Sequence, residues 1–180
     1  MPRNTAIAYV SLGSNLGDSV SHIGSSITEM SAPGVTEILA RSSLYETLPI
    51  GYVEQPHFVN CVVSMRTRLP PLKLLARLQS IEDAHGRTRL HRNGPRTLDL
   101  DLLLYGNSEM CESQLQLPHP RLHEREFVLR PLVEIAPNIW IPGHGSGQDC
   151  LAQCGRQGVT LLASSDWSSV GPSPAKAEKG

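Results

Sequence analysis

The sequence has few aromatic residues, almost no net charge and no long apolar run. Its two Phe, two Trp and four Tyr make up 4% of 180 residues, and the formal net charge is -1. A module that binds single-stranded RNA on a sheet needs exposed aromatic rings, and non-specific binding to nucleic acid needs an excess of basic charge. No stretch approaches the roughly 20 apolar residues of a membrane-spanning helix. We therefore expect neither nucleic acid nor membrane among the partners of this protein.

Several common motifs are also missing. The four cysteines form no pair of CxxC motifs, so free thiols in a reducing compartment are expected rather than a zinc site. The first residues lack the apolar core and small-residue cleavage site of a secretory signal, and we expect a cytoplasmic protein. The string GSNLGD does not match the P-loop pattern GxxxxGKS/T, and no GxGxxG precedes a helix. Any bound nucleotide is therefore expected to be held by side chains and metal ions.

The size and composition fit one globular domain. A chain of 19.6 kDa with 39% apolar and 18% charged residues can bury a substantial core but has no room for a second catalytic domain. We predict a single domain over residues 1–163. Residues 164–180 are rich in Ser, Pro, Gly and Lys, and we expect a disordered tail.

The apolar patterning predicts an α+β fold in the order βαββαβ. The predicted elements are a strand over Thr5–Leu12, a helix over Ser19–Ser31 capped by Asp18 or Ser19, strands over Val35–Tyr45 and His57–Arg68, a helix from Pro70-Pro71 to Gly86, and a strand over Thr97–Tyr105. This order is typical of a ferredoxin-like sandwich, with an antiparallel sheet covered by helices on one face.

The last of these strands carries two carboxylates, in the string GPRTLDLDLLLYG. Side chains alternate along a strand, so the even-numbered Leu98 to Leu104 line one face, while Asp99 and Asp101 project from the other together with Leu103 and Tyr105. Two carboxylates roughly 7 Å apart can converge on a cation. Oxygen ligands without neighbouring Cys or paired His favour Mg²⁺.

Two interpretations of this pair are open. Asp99 and Asp101 could form structural ion pairs with arginines on a solvated sheet face. Alternatively, they could hold a metal ion beside phosphate groups, because guanidinium groups bind phosphate oxygens with a planar fork and a carboxylate-held metal beside arginines suits phosphoryl transfer. Four arginines precede the pair closely: Arg87, Arg89, Arg92 and Arg96.

The string RNGPRTLDLDLL, Arg92 to Leu103, resembles the signature of the 6-hydroxymethyl-7,8-dihydropterin pyrophosphokinase (HPPK) family. The resemblance covers roughly Ala6–Pro142 and includes AYVSLGSNLGD, SSLYETLPIG with QPHFVN, IEDAHGRTR, and LPHPRLHEREFVLRPLVEIAP. It implies the same α+β sandwich. It also implies transfer of pyrophosphate from ATP to 6-hydroxymethyl-7,8-dihydropterin, with release of AMP, in folate biosynthesis.

The resemblance implies a metal and ATP site. Asp99 and Asp101 would bind two Mg²⁺ ions, and Arg87 and Arg92 would act with them in catalysis. From the residues alone, His119 is better explained as a loop histidine packed beside Pro118 and Pro120. The implied ATP-binding residues are Gln79, Glu82, Arg87, Arg92, Arg96, His119 and Arg125.

The resemblance also implies a pterin site. Phe58 and Phe127 would sandwich the pterin ring, and Asn60 would offer a donor and an acceptor to its polar edge. From the residues alone, ordinary core positions are the preferred interpretation of the two phenylalanines. Further pterin contacts are implied for Thr47, Leu48 and Ile50.

The match has departures and one enzymatic competitor. Asn93 stands where some members have an aromatic residue, Leu48 stands where proline is frequent, and residues 143–162 follow the family only loosely. A palm-type nucleotidyl transferase also places acidic residues on the strands of a split βαβ sandwich, but it releases pyrophosphate instead of AMP. The resemblance carries no information on oligomeric state, for which we expect a monomer.

Overall fold

Six antiparallel strands form the central sheet of the protein, an α+β fold, in a computed structural model that describes residues 4–49, 54–86 and 94–162. In chain order the elements are β1 (Ala6–Ser14), α1 (Ser19–Met30), β2 (Thr36–Arg41), β3 (Tyr45–Thr47), β4 (Phe58–Thr67), α2 (Pro71–Ala84), β5 (Asp99–Tyr105), β6 (Met110–Cys111), β7 (Gln116–Leu117), a 3₁₀ turn (Leu122–Glu124), α3 (Glu126–Ile135), β8 (Trp140–Ile141), β9 (Gly145–Ser146), α4 (Gly147–Cys154) and β10 (Val159–Leu161).

Strand β1 lies between β4 and the edge strand β5. The strand order is β10-β3-β4-β1-β5, and β2 also pairs with β4. In this register Gly13 of β1 lies opposite Asn60 on one side and Asp99 on the other. The end of β1 therefore brings one residue of β4 and the acidic part of β5 together.

The single strand predicted over Val35–Tyr45 is wrong, because the structure has two strands there. Strand β2 ends at Arg41 and β3 begins at Tyr45, and both pair with β4. Ser42 causes the interruption: its hydroxyl accepts a hydrogen bond from the Val62 N–H at 2.9 Å, in place of a strand carbonyl. Short local hydrogen bonds of this kind compete with the strand ladder.

Helices α1 and α2 cover one face of the sheet, as predicted. The Asp18 carboxylate caps α1 by accepting a hydrogen bond from the Ser21 N–H at 3.1 Å. Helix α2 begins with Pro71 at its first turn, and Gly86 follows it with a positive φ of 74°. Their buried residues are Ile23, Ile27 and Met30 of α1 and Leu74, Leu78 and Ile81 of α2.

The expectation of helices on one face alone is wrong, because α3 and α4 pack on the opposite face. This second face is also apolar and forms its own cluster with Val128, Leu129 and Leu132 of α3. Among the described helices, none is both long and apolar enough to span a membrane.

A bulge in β5 builds this second core. Tyr9 pairs with Leu104, but the next residue, Val10, pairs with Leu102, so Leu103 is an extra residue in the ladder. An extra residue reverses the alternation beyond it. Leu104 therefore joins Leu103 in the second core, and Tyr105 packs against the first. The sides predicted for Leu104 and Tyr105 were wrong, whereas those of Leu98, Leu100 and Leu102 are confirmed.

Candidate active site

A cavity of about 230 Å³ opens between the ends of β1, β4 and β5 and the turn that leads into α3. Nine of the predicted site residues line it: Thr47, Leu48, Phe58, Asn60, Arg96, Asp99, Asp101, Arg125 and Phe127. Residues that lie up to 80 positions apart in the chain, Thr47 and Phe127, thus line one cavity. Six further residues complete the lining: Ser11, Leu12, Gly13, Arg121, Glu124 and Gln157.

The two aspartates face this cavity from β5. Asp101 lies opposite Ser11 of β1, and Asp99 lies opposite Gly13. The Arg96 Nη1 donates a hydrogen bond to Asp99 Oδ2 at 2.6 Å, and both side chains are largely buried. Asp99 is therefore paired with an arginine, and it also lines the cavity.

The aspartates offer an incomplete set of ligands for a metal ion. In the described part of the chain, no cluster of three or more His, Cys, Asp or Glu side chains could hold a metal. Magnesium characteristically takes one or two protein carboxylates and completes its octahedron with water and substrate phosphate oxygens. Two carboxylates on one side of an open cavity fit a magnesium ion that binds together with a nucleotide.

Three arginines supply positive charge on the same cavity. Arg96 lies beside the aspartates, and Arg121 and Arg125 flank the 3₁₀ turn. Burial lowers the pKa of the Arg125 guanidinium, and the neighbouring Arg121 lowers this pKa further. Arg121 is itself held by Glu124, whose Oε1 accepts a hydrogen bond from the Arg121 Nε at 2.6 Å. Clustered guanidinium groups in a partly buried cavity form a site for phosphate.

His119 lies near this cluster but does not line the cavity. Burial and the charge of Arg125 lower the pKa of His119 from 6.5 to about 4. Its Nδ1 accepts a hydrogen bond from the Arg121 N–H at 3.2 Å. A neutral ring that accepts at Nδ1 carries its proton on Nε2, so His119 is a hydrogen-bond donor at neutral pH.

Two phenylalanines and one asparagine also line the cavity. Phe58 comes from β4 and Phe127 from α3, and both are half-buried. Phe127 also packs against the second core, so the core interpretation is confirmed for this residue, and its ring lines the cavity as well. Asn60 is buried, and its Nδ2 donates a hydrogen bond to Thr47 Oγ1 at 2.9 Å. Half-buried rings beside a buried amide suit a flat heteroaromatic ligand.

Besides His119, two further predicted residues lie outside the cavity lining, Gln79 and Glu82. Gln79 is exposed on α2. Glu82 is buried, and its Oε1 accepts a hydrogen bond from the Leu100 N–H at 2.7 Å. Glu82 thereby fixes α2 to β5 between the two aspartates. Three more predicted residues, Ile50, Arg87 and Arg92, lie outside the described residues.

Sequence reasoning assigned no role to Asn15, which connects two segments of the site. Its Oδ1 accepts a hydrogen bond from the Arg96 N–H at 2.8 Å, and its Nδ2 donates to Gln55 Oε1 and to the Pro56 carbonyl, each at 3.0 Å. Asn15 thus joins the segment before β4 to the segment before β5. Its place in SLGSN, directly after β1, was the available signal. Arg121, Glu124 and Gln157 were also missed, and only their spatial position identifies them.

Sequence comparison gives the family. The model of 7,8-dihydro-6-hydroxymethylpterin-pyrophosphokinase (HPPK) matches residues 9–137. The chain is 46% identical over 135 residues to the 2-amino-4-hydroxy-6-hydroxymethyldihydropteridine pyrophosphokinase of Haemophilus influenzae, covering 75% of this chain and 84% of that protein. It is 41% identical over 154 residues to the protein of the same name from Pseudomonas aeruginosa, covering 86% of this chain and 95% of that protein.

Comparison with solved structures supports the fold. A Plasmodium falciparum HPPK-DHPS crystal structure matches with a TM-score of 0.67 at 14% identity. The match covers 83% of this chain and 43% of the Plasmodium chain. At this identity the similarity concerns the fold alone. Taken with the family model and the closely similar bacterial proteins, it leaves one conclusion: this chain belongs to the 7,8-dihydro-6-hydroxymethylpterin-pyrophosphokinase family.

Proposed function

We propose that this chain transfers the pyrophosphate group of ATP to 6-hydroxymethyl-7,8-dihydropterin, giving the dihydropterin pyrophosphate and AMP in folate biosynthesis. The observation that carries the proposal is the cavity itself. An aspartate pair, guanidinium groups, two phenylalanines and a buried asparagine all line it. One small site therefore offers both phosphate chemistry and a place for a flat ring.

The pterin binds between the two phenylalanines that line the cavity. Phe58 and Phe127 stack on the two faces of the ring. Asn60 presents its amide to the polar edge, and its hydrogen bond to Thr47 sets the orientation of that amide. Leu48 and Ile50 supply further contacts to the ring from the segment after β3.

The phosphates of ATP bind to the arginines of the cavity. Arg96 and Arg125 bind phosphate oxygens from the cavity lining, and Arg87 and Arg92 reach the same groups during catalysis. His119 donates a hydrogen bond from Nε2, in keeping with its neutral state. This proposal assigns Gln79 and Glu82 of α2 to the nucleotide side, whereas the cavity lining contains neither residue.

Two magnesium ions held by Asp99 and Asp101 would neutralise charge on the phosphate oxygens and lower the pKa of the attacking hydroxyl. The hydroxymethyl oxygen attacks the β-phosphorus of ATP, the bond between that phosphorus and the α,β-bridging oxygen breaks, and AMP leaves. Asp101 lies on the cavity wall where it can orient the hydroxyl and accept its proton. The arginines stabilise the charge that develops on the transferred group.

Four further properties belong to this proposal. The strands β1, β2, β4 and β5 pair in the antiparallel order β2-β4-β1-β5, which supports a ferredoxin-like topology. We propose one catalytic domain over residues 1–163, followed by a tail over 164–180 that lies outside the described residues. We also propose a monomer that works in the cytoplasm.

Product analysis tests the reaction. The purified protein is incubated with 6-hydroxymethyl-7,8-dihydropterin, Mg²⁺ and ATP labelled in the γ-phosphate, and the products are separated. Formation of AMP with label in the pterin product is the expected result. Release of labelled pyrophosphate, with nucleotide attached to the acceptor, would contradict the proposal and favour nucleotidyl transfer.

A further inference from the structure

Gln157 lines the cavity although it lies outside the part of the chain that the family model matches. The matched region ends at residue 137, whereas Gln157 follows α4 and directly precedes β10. Its side chain is exposed at the cavity rim and shares the lining with Glu124, Arg125 and Phe127.

The side-chain amide of Gln157 binds the backbone on both sides of Arg125. Its Nε2 donates a hydrogen bond to the Glu124 carbonyl at 2.8 Å, and its Oε1 accepts one from the Glu126 N–H at 3.0 Å. The Nε2 also donates to the Cys154 carbonyl at 3.3 Å. One amide therefore clamps the two peptide groups that flank Arg125, and through Cys154 it ties them to the end of α4.

This contact supplies a cap that α3 otherwise lacks. Arg125 is the N-cap residue of α3, and its own side chain makes no capping hydrogen bond. The first N–H groups of a helix need an acceptor, and Gln157 provides one for Glu126 from 31 residues further along the chain. The Glu126 carboxylate returns the contact by accepting a hydrogen bond from the Gln157 N–H, and it also binds Arg130.

The residues after Gln157 connect these hydrogen bonds to β3, the strand that carries Thr47 of the cavity lining. Val159 of β10 pairs with Thr47 of β3. Gly158 lies so close to Leu48 that a Cβ added at Gly158 would be 3.2 Å from Leu48 Cδ1. The segment 157–159 therefore bridges the strand that carries Thr47 and the turn that carries Arg125.

We infer that Gln157 is a positioning residue for the pyrophosphoryl transfer, and that it acts by holding Arg125 in the orientation that binds phosphate. This inference rests on the proposed function. Gln157 need not touch either substrate, because its amide contacts only the backbone around Arg125 in the structure. An amide is required because the clamp uses one donor and one acceptor, and a carboxylate at residue 157 would offer only acceptors and would face Glu126.

The test is a double-mutant cycle on AMP formation. Gln157→Ala is expected to lower kcat about tenfold, with the KM for the pterin changed less than threefold. Gln157→Glu is expected to lower kcat at least as much. In the Arg125→Ala background, Gln157→Ala should change kcat less than twofold, because the group that Gln157 positions is already absent. Equal effects of Gln157→Ala in both backgrounds would overturn the inference.

Two controls separate this inference from other outcomes. Gln148→Ala removes another exposed glutamine, which contacts the Pro137 carbonyl at 3.4 Å and lies outside the cavity lining, and it should leave kcat within twofold of wild type. Gln157→Leu keeps the side-chain volume, and kcat is measured on this variant instead if Gln157→Ala does not fold. Unfolding of both variants would show a role in stability alone and would refute the inference. A wild-type protein that forms no AMP refutes the proposed function instead, whereas an active wild type with an unimpaired Gln157→Ala variant refutes only the positioning role.

Discussion

The Oδ1 of Asn60 lies directly over Gly13 of the neighbouring strand. A Cβ added at Gly13 would be 2.9 Å from this oxygen, which is closer than a carbon atom can approach without displacement. The two residues are partners in the register of β1 and β4. Asn60 cannot move away freely, because it is buried and its Nδ2 binds Thr47. The missing side chain at residue 13 therefore makes room for the amide that we propose contacts the pterin.

Gly13→Ala should impair pterin binding specifically. The added methyl group must displace the Asn60 amide, and a lost or distorted hydrogen bond costs about 1–1.5 kcal/mol, which is a five- to tenfold loss of affinity. We expect the KM for the pterin to rise about tenfold and the KM for ATP to stay within twofold, as measured by initial rates of AMP formation. Gly13→Ala should have no additional effect in an Asn60→Ala background. An equal rise in both KM values would contradict a local effect on Asn60.

Replacing either aspartate with asparagine should abolish turnover without unfolding the protein. Asp99→Asn and Asp101→Asn keep the shape of the side chain but remove the charge that we propose holds Mg²⁺. Lost electrostatic stabilisation of this kind typically lowers kcat by about 10²–10³. The measurement is AMP formation across a range of Mg²⁺ concentrations, together with a thermal melt.

Glu109→Gln is the matched control for this experiment, because Glu109 is an exposed carboxylate outside the cavity lining. It should retain wild-type activity. If the activity of Asp99→Asn or Asp101→Asn stays within tenfold of wild type, the metal role of that residue is wrong.

Glu82→Ala should destabilise the fold. Glu82 is buried, and its removal leaves the Leu100 N–H without its acceptor. An unsatisfied buried backbone donor costs about 1–3 kcal/mol. We expect the free energy of unfolding in urea to fall by that amount. Glu82→Gln keeps an acceptor oxygen, so the free energy of unfolding of this variant should fall by less.

Activity of the Glu82→Gln variant separates the two roles of Glu82. If Glu82 also contacts ATP through its charge, Glu82→Gln raises the KM for ATP while stability changes little. A normal KM for ATP would leave Glu82 with the structural role alone.

His119 should make stability depend on pH in the acidic range. Its folded pKa of about 4 lies below the ordinary 6.5, because of burial and the charge of Arg125. Between these two values the unfolded chain binds a proton at His119 that the folded chain does not bind. The free energy of unfolding therefore falls as pH drops from about 6.5 to 4, by on the order of 3 kcal/mol over the whole interval.

Urea unfolding at pH 7 and pH 4.5 measures this dependence. The His119→Asn variant should lose less stability than wild type between the two pH values, since Asn does not titrate. His57→Asn, which changes an exposed histidine, should behave like wild type. Equal losses of unfolding free energy in wild type and His119→Asn would contradict the low pKa of His119.

Local patterns in the sequence were sufficient for much of the fold. The apolar spacing of α1 and α2 predicted both helices to within about one residue at their N-termini, because capping groups and apolar periodicity are local. The strand over Val35–Tyr45 was predicted as one element because its β-propensity is continuous. The break at Ser42 depends on a hydrogen bond to Val62, 20 residues away, which no local pattern contains.

For the site too, local sequence predicted one part and only the tertiary structure decided the rest. The sequence by itself determined the chemistry, because Asp99, Asp101 and the GPR motif lie within a few residues of one another and alternation along a strand puts both carboxylates on one side. The tertiary structure decided which distant groups join them. The sheet register brought Gly13 to Asn60, a bulge moved Leu104 to the second core, and the chain returned after α4 to place Gln157 beside Arg125. These contacts join residues up to 95 positions apart, as for Tyr9 and Leu104, and their energies depend on packing and hydrogen-bond geometry that exist only once the sheet and both helical layers have assembled.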